Sequence, residues 1–202
     1  MYLSKVMIHG SSSRNPYEIH RALWRMFPGD ADAERDYLFR VERSGQQQVE
    51  VLMQSCREPI IRDMAGTKLI ASRNYPLILN VGTRLRFRLV ANPIKTITDE
   101  GGRLNTKGEV KKCRVPLIHE EEWRAWLEKK LADCAKLETL IAENQLPLYF
   151  RKRKGKRVGK IQPVNFQGTL SVSDSLTFSE LVISGIGPAK AFGCGLLSLA
   201  RA

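Results

Sequence analysis

A tyrosine and a histidine stand three residues apart in a segment with helical character. Tyr17 and His20 would share one face of a helix, because residues at i and i+3 are neighbours on a helix surface. A histidine beside a phenol and cations suits RNA cleavage, in which one group removes the 2′-hydroxyl proton and another protonates the leaving 5′-oxygen. Histidine is suited to this proton transfer because its ordinary pKa is about 6.5. The alternative is a surface histidine with an aromatic neighbour, and the local pattern alone favours that alternative.

The highest concentration of charge lies at residues 151–160, RKRKGKRVGK. This segment holds seven cations and no acid, more than half of the formal net charge of +12. Two glycines fall inside it and strand-like segments flank it, so we predict a basic hairpin tip. Like charges repel one another, which favours contact with nucleic-acid phosphates over a solvated basic loop or a localisation-like patch. The cations are Arg151, Lys152, Arg153, Lys154, Lys156, Arg157 and Lys160.

The glycine-rich segment 184–200 is a third candidate. Glycines let backbone N–H groups approach a phosphate closely, and Lys190 would add a point charge there. The segment lacks the dinucleotide-binding fingerprint, because Lys190 occupies the position of the required third glycine. A helix cap and a turn before an edge strand fit the same pattern equally well.

Composition excludes several classes of protein. The 202 residues are 43% hydrophobic and 27% charged, which is typical of a globular protein. The positive charge indicates a polyanionic partner, either nucleic acid or an anionic membrane surface. No uncharged apolar run approaches the ~18 residues that a membrane helix needs. Four scattered cysteines without a C-x-x-C pair indicate reduced thiols in a cytosol and give no support to a zinc or redox site.

The elements that must position these residues begin with a strand and a capped helix. Asn15 followed by Pro16 is typical of an N-cap with proline in the first helical turn. Apolar residues then recur at helical spacing until Pro28-Gly29. For the first half we predict a strand at 2–8, this helix, strands at 37–43 and 49–55, a weaker helix at 60–68 and a strand at 75–81.

The second half follows the same order of elements. We predict a half-buried strand at 84–90, an exposed loop at 98–112, a long amphipathic helix at 119–138, strands near 147–152 and 161–172, a helix at 175–184 and a strand at 194–200. Strand, helix, strand, strand, helix, strand is the order of the ferredoxin-like split βαβ unit. We therefore predict an α+β protein of two tandem ferredoxin-like (βαββαβ) domains with antiparallel sheets. Residues 1–81 would carry the helix of Tyr17 and His20, and residues 84–202 the basic hairpin and the glycine-rich loop.

Several long segments, in order along the chain, resemble one known family. They are MYLSK at the start, NPYEIHRALW (15–24), RFRLVANPIKT (86–96), KKCRVPLI (111–118) and GIGPAKAFGCGLLSLA (185–200). These segments are similar to the CasE (Cse-type) family, the CRISPR RNA-processing endoribonucleases of the type I-E Cascade complex in the RAMP group. The similarity runs from about Tyr2 to Leu199, nearly the whole chain.

The resemblance implies a reaction and partners. An enzyme of this family binds the repeat hairpin of precursor CRISPR RNA and cuts at the 3′ base of that hairpin. The implied cleavage uses no metal or cofactor and leaves a 2′,3′-cyclic phosphate or 3′-phosphate and a 5′-OH. The enzyme then stays on the mature CRISPR RNA with the other Cascade subunits. From the cysteine pattern we expect a cytoplasmic protein, and from the placement of the cations we expect no membrane partner.

The resemblance also implies roles for particular residues. The catalytic histidine of the family matches His20, and an assisting tyrosine matches Tyr17. Arg25 stands where some members place a cation, five residues after the histidine. The family's basic hairpin, which enters the RNA major groove, corresponds to 151–160. Its glycine-rich loop lies near the RNA and corresponds to 185–195, from which we predict Gly187 and Lys190 as RNA contacts.

Two other functions compete with cleavage. A non-catalytic RNA-binding scaffold could have the same fold, since fold does not determine activity. The Tyr17 and His20 pair favours the enzyme, because a scaffold does not need it. A basic protein for anionic membranes predicts a cationic amphipathic helix with apolar anchors, whereas here the densest cations lie between strands among glycines.

Overall fold

The first half of the chain folds around one four-stranded antiparallel sheet. The structure is a computed structural model, and it describes residues 1–27, 35–60, 66–151 and 158–202. The sheet has the order β2-β3-β1-β4, which is the order of a ferredoxin-like unit. The elements are β1 (Tyr2–His9), α1 (Pro16–Trp24), β2 (Tyr37–Ser44), β3 (Gln48–Ser55) and β4 (Thr67–Asn74).

The second half repeats this architecture with two additional hairpins. Its four-stranded antiparallel sheet has the order β12-β5-β11-β8, and the pairs β6-β7 and β9-β10 stand outside it. The predicted pair of ferredoxin-like units is therefore confirmed, while the division into residues 1–81 and 84–202 stays a prediction. The elements are β5 (Arg84–Ala91), β6 (Ile94–Thr98), β7 (Lys112–Pro116), α2 (Glu120–Leu131), β8 (Ala135–Asn144), β9 (Leu148–Arg151), β10 (Val158–Ile161), β11 (Val164–Val172), α3 (Ser175–Ser184) and β12 (Leu197–Arg201).

Helix α1 forms where its sequence predicts. The side chain of Asn15 accepts a hydrogen bond from the Tyr17 backbone N–H at 3.0 Å, and Pro16 occupies the first turn. The apolar stripe of the helix packs on the sheet, and removing it from water is a main source of stability for so short a helix. The buried residues of this core include Val6, Ile8, Ile19, Ala22, Leu23, Phe39, Val51 and Met53.

The two halves are joined through β2, whose first four residues are buried. Tyr37 and Phe39 belong to the core under α1. Arg40 instead reaches the second half, where its Nη1 donates to the backbone oxygens of Arg88 at 3.1 Å and Leu196 at 3.4 Å. Glu42 lies between Arg40 and Arg88 and accepts from both, at 2.6 Å each. These contacts hold the halves together with buried polar groups that are satisfied on both sides.

The strand that closes the first sheet lies at Thr67–Asn74, and this corrects two predictions. The strand predicted at 75–81 is absent, and residues 75–80 have no regular structure. The helix predicted at 60–68 is wrong at its C-terminal end, because β4 begins at Thr67. Residues 61–65 lie outside the described residues. Pro76 has no N–H to donate to a ladder. The apolar alternation around it belongs to an extended linker, in which Leu77 packs on the second core while Ile78 is 82% exposed.

The helix predicted at 119–138 is shorter in the structure. It ends at Leu131, and Ala135–Asn144 pairs with β11 as strand β8. Cys134 and Leu137 continue the helical spacing of apolar residues, which explains the error, yet they lie in a turn and a strand. The loop at 98–112 is exposed as predicted, but it forms the tip of the β6-β7 hairpin. The last strand begins at Leu197 and not at 194.

All four cysteines are free thiols in the structure. Cys56 is exposed, Cys113 is half-buried, and Cys134 and Cys194 are buried. Burial raises the pKa of the Cys134 thiol and raises the pKa of Cys194 to about 12. In the described part of the chain, no helix has the length and apolar character to cross a membrane.

Candidate active site

His20 lies in the middle of α1, beside the stripe that packs on the sheet. Ile19 and Leu23 point into the core, and His20 is half-buried at the edge of this stripe. At about 100° for each helical residue, His20 lies about 60° round the helix from Leu23 and about 100° from Ile19, at the rim of the buried stripe. The fold therefore holds an imidazole that is packed on one side and accessible on the other.

The phenol of Tyr37, at the start of strand β2, contacts this imidazole. Its oxygen lies 2.5 Å from His20 Nδ1 and 2.9 Å from the main-chain oxygen of His20. Tyr37 is the first residue of β2 and is only 2% exposed. The ring of Trp24, one turn after His20, is 6.4 Å from the imidazole and 6.1 Å from the phenol ring, measured between centroids. The imidazole thus lies beside two aromatic rings.

The surroundings keep both groups of this pair neutral at neutral pH. Burial lowers the pKa of His20 below its ordinary value, and the nearby charge of Arg35 lowers it further. Burial raises the pKa of Tyr37 well above its ordinary value, so the phenol keeps its proton. A neutral imidazole at physiological pH is ready to accept a proton.

Arg35 acts on His20, and Lys190 of the second half lies within electrostatic reach of Arg35. Arg35 is half-buried, and its charge lowers the pKa of both His20 and Lys190, although burial is the larger cause for each. The Lys190 ammonium donates to the backbone oxygen of Ser184 at 2.5 Å, which anchors it to the end of α3. These cations suit the extra negative charge of a pentacoordinate phosphate.

Tyr17 and Arg25 lie on the same helix as His20 but differ in position. Tyr17 is 42% exposed one turn before His20, on the predicted face. Arg25 is exposed at the C-terminal end of α1, and five residues of helix place it about 140° round from His20. Among the hydrogen bonds of the described residues, none joins either side chain to His20. The structure thus brings Tyr37 and Arg35 to the imidazole, while direct roles for Tyr17 and Arg25 stay predictions.

The glycine-rich loop has the structural role that its sequence allows. It is a helix end and a turn before the edge strand β12, and it also carries Lys190 toward Arg35. A Cβ on Gly187 would lie 2.9 Å from the Trp126 indole, so packing already requires a glycine there. Contact of Gly187 and Lys190 with RNA stays a prediction.

The base of the predicted basic hairpin is present. Strands β9 and β10 pair antiparallel, with Arg151 opposite Val158 and Tyr149 opposite Lys160. Lys160 is exposed. Phe150 of β9 lies 4.4 Å, between ring centroids, from Phe192 of the glycine-rich loop, so the two candidate RNA-contacting segments are neighbours. Lys152, Arg153, Lys154, Lys156 and Arg157 lie outside the described residues, and their contact with RNA stays a prediction.

Tyr37 and Arg35 were missed by reasoning from sequence. Tyr37 opens a strand-like segment, YLFRVER, in which an aromatic residue indicates core packing. Only the fold shows that the start of β2 lies beneath the middle of α1. Within the described ranges, no group of three or more His, Cys, Asp or Glu side chains is placed to hold a metal ion. The arrangement offers proton transfer by an imidazole and positive charge for a phosphate.

Comparison with known proteins agrees over the full length. The sequence profile of the family described as "CRISPR associated protein" matches residues 1–201. The chain is 48% identical over 201 residues to the CRISPR system Cascade subunit CasE of Escherichia coli K12, covering 99% of each chain. It is 31% identical over 221 residues to the CRISPR-associated endoribonuclease Cse3 of Thermus thermophilus, covering 99% of this chain and all of that one.

Solved structures show the same fold. The crystal structure of the CRISPR-associated protein Cas6e from Escherichia coli K-12 matches with a TM-score of 0.86 at 45% identity, covering 100% of both chains. A structure of the CRISPR endoribonuclease Cse3 bound to 19 nt RNA matches with a TM-score of 0.78 at 31% identity, again over 100% of both chains.

Proposed function

The chain belongs to the CRISPR-associated protein family that includes CasE and Cse3, and on that basis we propose that it is an endoribonuclease that processes CRISPR RNA as a subunit of Cascade. Relatives that carry these names match it over 99% of this chain and over 99% and 100% of their own lengths. The observation that carries the proposal is the half-buried imidazole of His20, held by Tyr37 beside the charge of Arg35.

Cleavage proceeds by attack of a ribose 2′-oxygen on the adjacent phosphorus. The bond from the 2′-oxygen to phosphorus forms and the bond from phosphorus to the 5′-oxygen breaks, which leaves a 2′,3′-cyclic phosphate and a 5′-OH. One proton leaves the 2′-hydroxyl and one reaches the 5′-oxygen, and His20 transfers one of them. Arg35 and Lys190 stabilise the charge on the phosphorane, and the exposed phenol of Tyr17 donates to the RNA. No metal ion takes part.

The basic segment 151–160 and the glycine-rich loop hold the repeat hairpin so that the 3′ base of its stem meets His20. Support for this placement comes from the contact of Phe150 with Phe192, which makes the two segments neighbours, and from the packing of the glycine-rich loop near α1. Because the contacts are cations to phosphates, affinity falls steeply with salt. The enzyme keeps its hold on the mature CRISPR RNA and enters Cascade with it.

We place the protein in the cytoplasm. Four free thiols, two of them buried, fit a reducing compartment. The RNA substrate that we propose is made in the same compartment.

The test is a cleavage assay with a labelled CRISPR repeat hairpin in excess EDTA. We expect native RNA to be cut and RNA with a single 2′-deoxy nucleotide before the cut to stay intact. His20→Ala should lower the cleavage rate by at least ~100-fold and leave hairpin binding intact. The matched control is His119→Ala, which removes an imidazole from the N-terminal end of α2 where it makes no capping hydrogen bond.

The competing function is an RNA-binding scaffold of the same fold. Tight, salt-sensitive binding with no cleavage in EDTA or in magnesium would support it. Cleavage only in magnesium would keep the enzyme and overturn metal independence. Parental cleavage by His20→Ala would overturn the assignment of His20.

A further inference from the structure

The hydroxyl of Tyr37 has two partners on one residue, and only one of them is able to donate a proton. The main-chain oxygen of His20 is a carbonyl and accepts only, while the ring nitrogen Nδ1 donates or accepts depending on the tautomer. The phenol has a single proton. Both contacts are hydrogen bonds at once only when that proton points to the carbonyl, at 2.9 Å.

The second contact then follows from hydrogen-bond balance. With its proton directed to the carbonyl, the Tyr37 oxygen offers only lone pairs to Nδ1, 2.5 Å away. In this arrangement Nδ1 carries the ring proton and donates it to the phenol oxygen. In a neutral imidazole the other nitrogen, Nε2, then carries the lone pair.

We propose that Tyr37 is a positioning residue that holds His20 as the Nδ1–H tautomer, so that Nε2 is the general base for the 2′-hydroxyl. This assignment rests on the proposed function and decides which proton His20 transfers. Nε2 takes the 2′-hydroxyl proton while the 2′-oxygen bonds to phosphorus. The 5′-oxygen leaves with a proton from a water molecule, and the imidazolium later returns its proton to solvent, so that protons balance.

The position of the phenol serves this role in both protonation states. When Nε2 gains a proton, Nδ1–H still donates to the Tyr37 oxygen, so the imidazolium keeps its hydrogen bond. Burial aside, the charged groups that act on this pair are Arg35, on both groups, and Asp36, whose charge raises the pKa of Tyr37. Asp36 follows Arg35 in the chain, but its carboxylate is paired with Arg57 through two hydrogen bonds. Tyr37 is therefore the side chain that contacts Nδ1 directly.

The test reads the tautomer directly in the full-length protein. In ¹⁵N-labelled protein above the pH of His20 titration, we expect Nδ1 to resonate as a protonated ring nitrogen and Nε2 as an unprotonated one. The His20 signals are assigned by their loss in His20→Ala. In Tyr37→Phe, the ring nitrogens should redistribute toward the Nε2–H form, because Nδ1–H has lost its acceptor.

The same variant is measured for cleavage under single-turnover conditions. We expect Tyr37→Phe to cut about tenfold more slowly at saturating enzyme, with RNA affinity unchanged, because a smaller fraction of His20 offers Nε2 as a base. The maximum cleavage rate reached at high pH should fall, in addition to any shift in the midpoint of the pH profile. Phenylalanine keeps the packing of the ring on Phe27, and Tyr75→Phe is the matched control, since Tyr75 follows β4 at the opposite edge of the sheet.

Either of two results overturns the proposal: an unprotonated Nδ1 in the parental protein, or unchanged His20 resonances in Tyr37→Phe. If Tyr37→Phe cuts RNA more slowly but its His20 resonances are unchanged, the proposal is also overturned. The ring spectra need no RNA. If the parental protein fails to cut RNA, the proposed function fails, while the spectra still decide the tautomer.

Discussion

At the scale of single residues, the surroundings of His20 set the pH at which cleavage begins. Burial and the charge of Arg35 both lower the pKa of this imidazole. A base must be unprotonated, so the rate should rise with pH through a midpoint below the ordinary value of about 6.5. Single-turnover rates between mildly acidic and neutral pH measure the midpoint. A midpoint at or above the ordinary value would contradict the burial of this group.

Arg35 allows the electrostatic part of this effect to be separated. Arg35→Gln removes a positive charge that disfavours the imidazolium, so the pKa of His20 should rise and the midpoint should move to higher pH. Arg21→Gln is the matched control, because Arg21 lies on the same helix but is paired with Glu18. The pH profile of each variant gives the result. An unchanged midpoint in Arg35→Gln would show that its charge does not reach His20.

The residues that sequence reasoning found are those whose relation is local. Tyr17 and His20 are three residues apart on one helix, and their shared face follows from helix geometry alone. Tyr37 lies 17 residues after His20, and its contact depends on the packing of β2 under α1. Residue spacing within one helix cannot predict a contact between that helix and a later strand.

At the scale of elements, the basic hairpin should carry the salt dependence of RNA binding. Lys154→Gln combined with Lys156→Gln should weaken hairpin binding and lower the slope of log affinity against log salt by up to about 0.9 for each phosphate that is no longer neutralised. Lys107→Gln with Lys111→Gln removes the same charge from the tip of the β6-β7 hairpin and is the matched control. Equal losses of affinity in both double variants would indicate only a general effect of net charge.

Gly185 of the glycine-rich loop packs against Leu38 of the first half and should not tolerate a side chain. Gly185 has φ +78°, and an added Cβ would lie 2.7 Å from Leu38 Cδ1 and 2.9 Å from the oxygen of Gly195. Gly82 has φ +81° with nothing near its added Cβ. Gly82→Ala should therefore cost only the backbone strain, about 1–2 kcal/mol, and Gly185→Ala clearly more. Urea unfolding of both variants tests this, and equal costs would contradict the packing.

Elements were predicted well where their signals are local. The Asn15 cap and the alternation in β5 locate their elements without knowledge of the rest of the fold. The errors fall on strands defined by their partners. β4 is mostly exposed on the edge of its sheet, and β8 continues a helical apolar spacing, so neither shows its identity until it pairs with β1 or β11.

At the scale of the whole molecule, the two halves depend on Arg40. This guanidinium is 3% exposed and serves two carbonyls of the second half together with Glu42. Arg40→Ala should lower the free energy of unfolding by about 3 kcal/mol, because the remaining buried groups lose their partner. Arg84→Ala breaks a surface pair with Glu138 and should cost at most about 1 kcal/mol. Denaturant unfolding measures both, and similar costs would show that the halves do not rely on Arg40.

The unequal exposure of the four cysteines makes the molecule suitable for a fluorescent reporter. Maleimide dyes react with thiolates, so the buried Cys134 and Cys194, whose pKa values are raised, should stay unlabelled at neutral pH. After Cys113→Ser, a dye would attach at Cys56 alone. The Cys56 backbone N–H donates to the oxygen of Asp36 at 3.0 Å, so the dye would lie beside the strand that begins with Tyr37. Its emission would report RNA binding in real time, and the RNA itself would need no label.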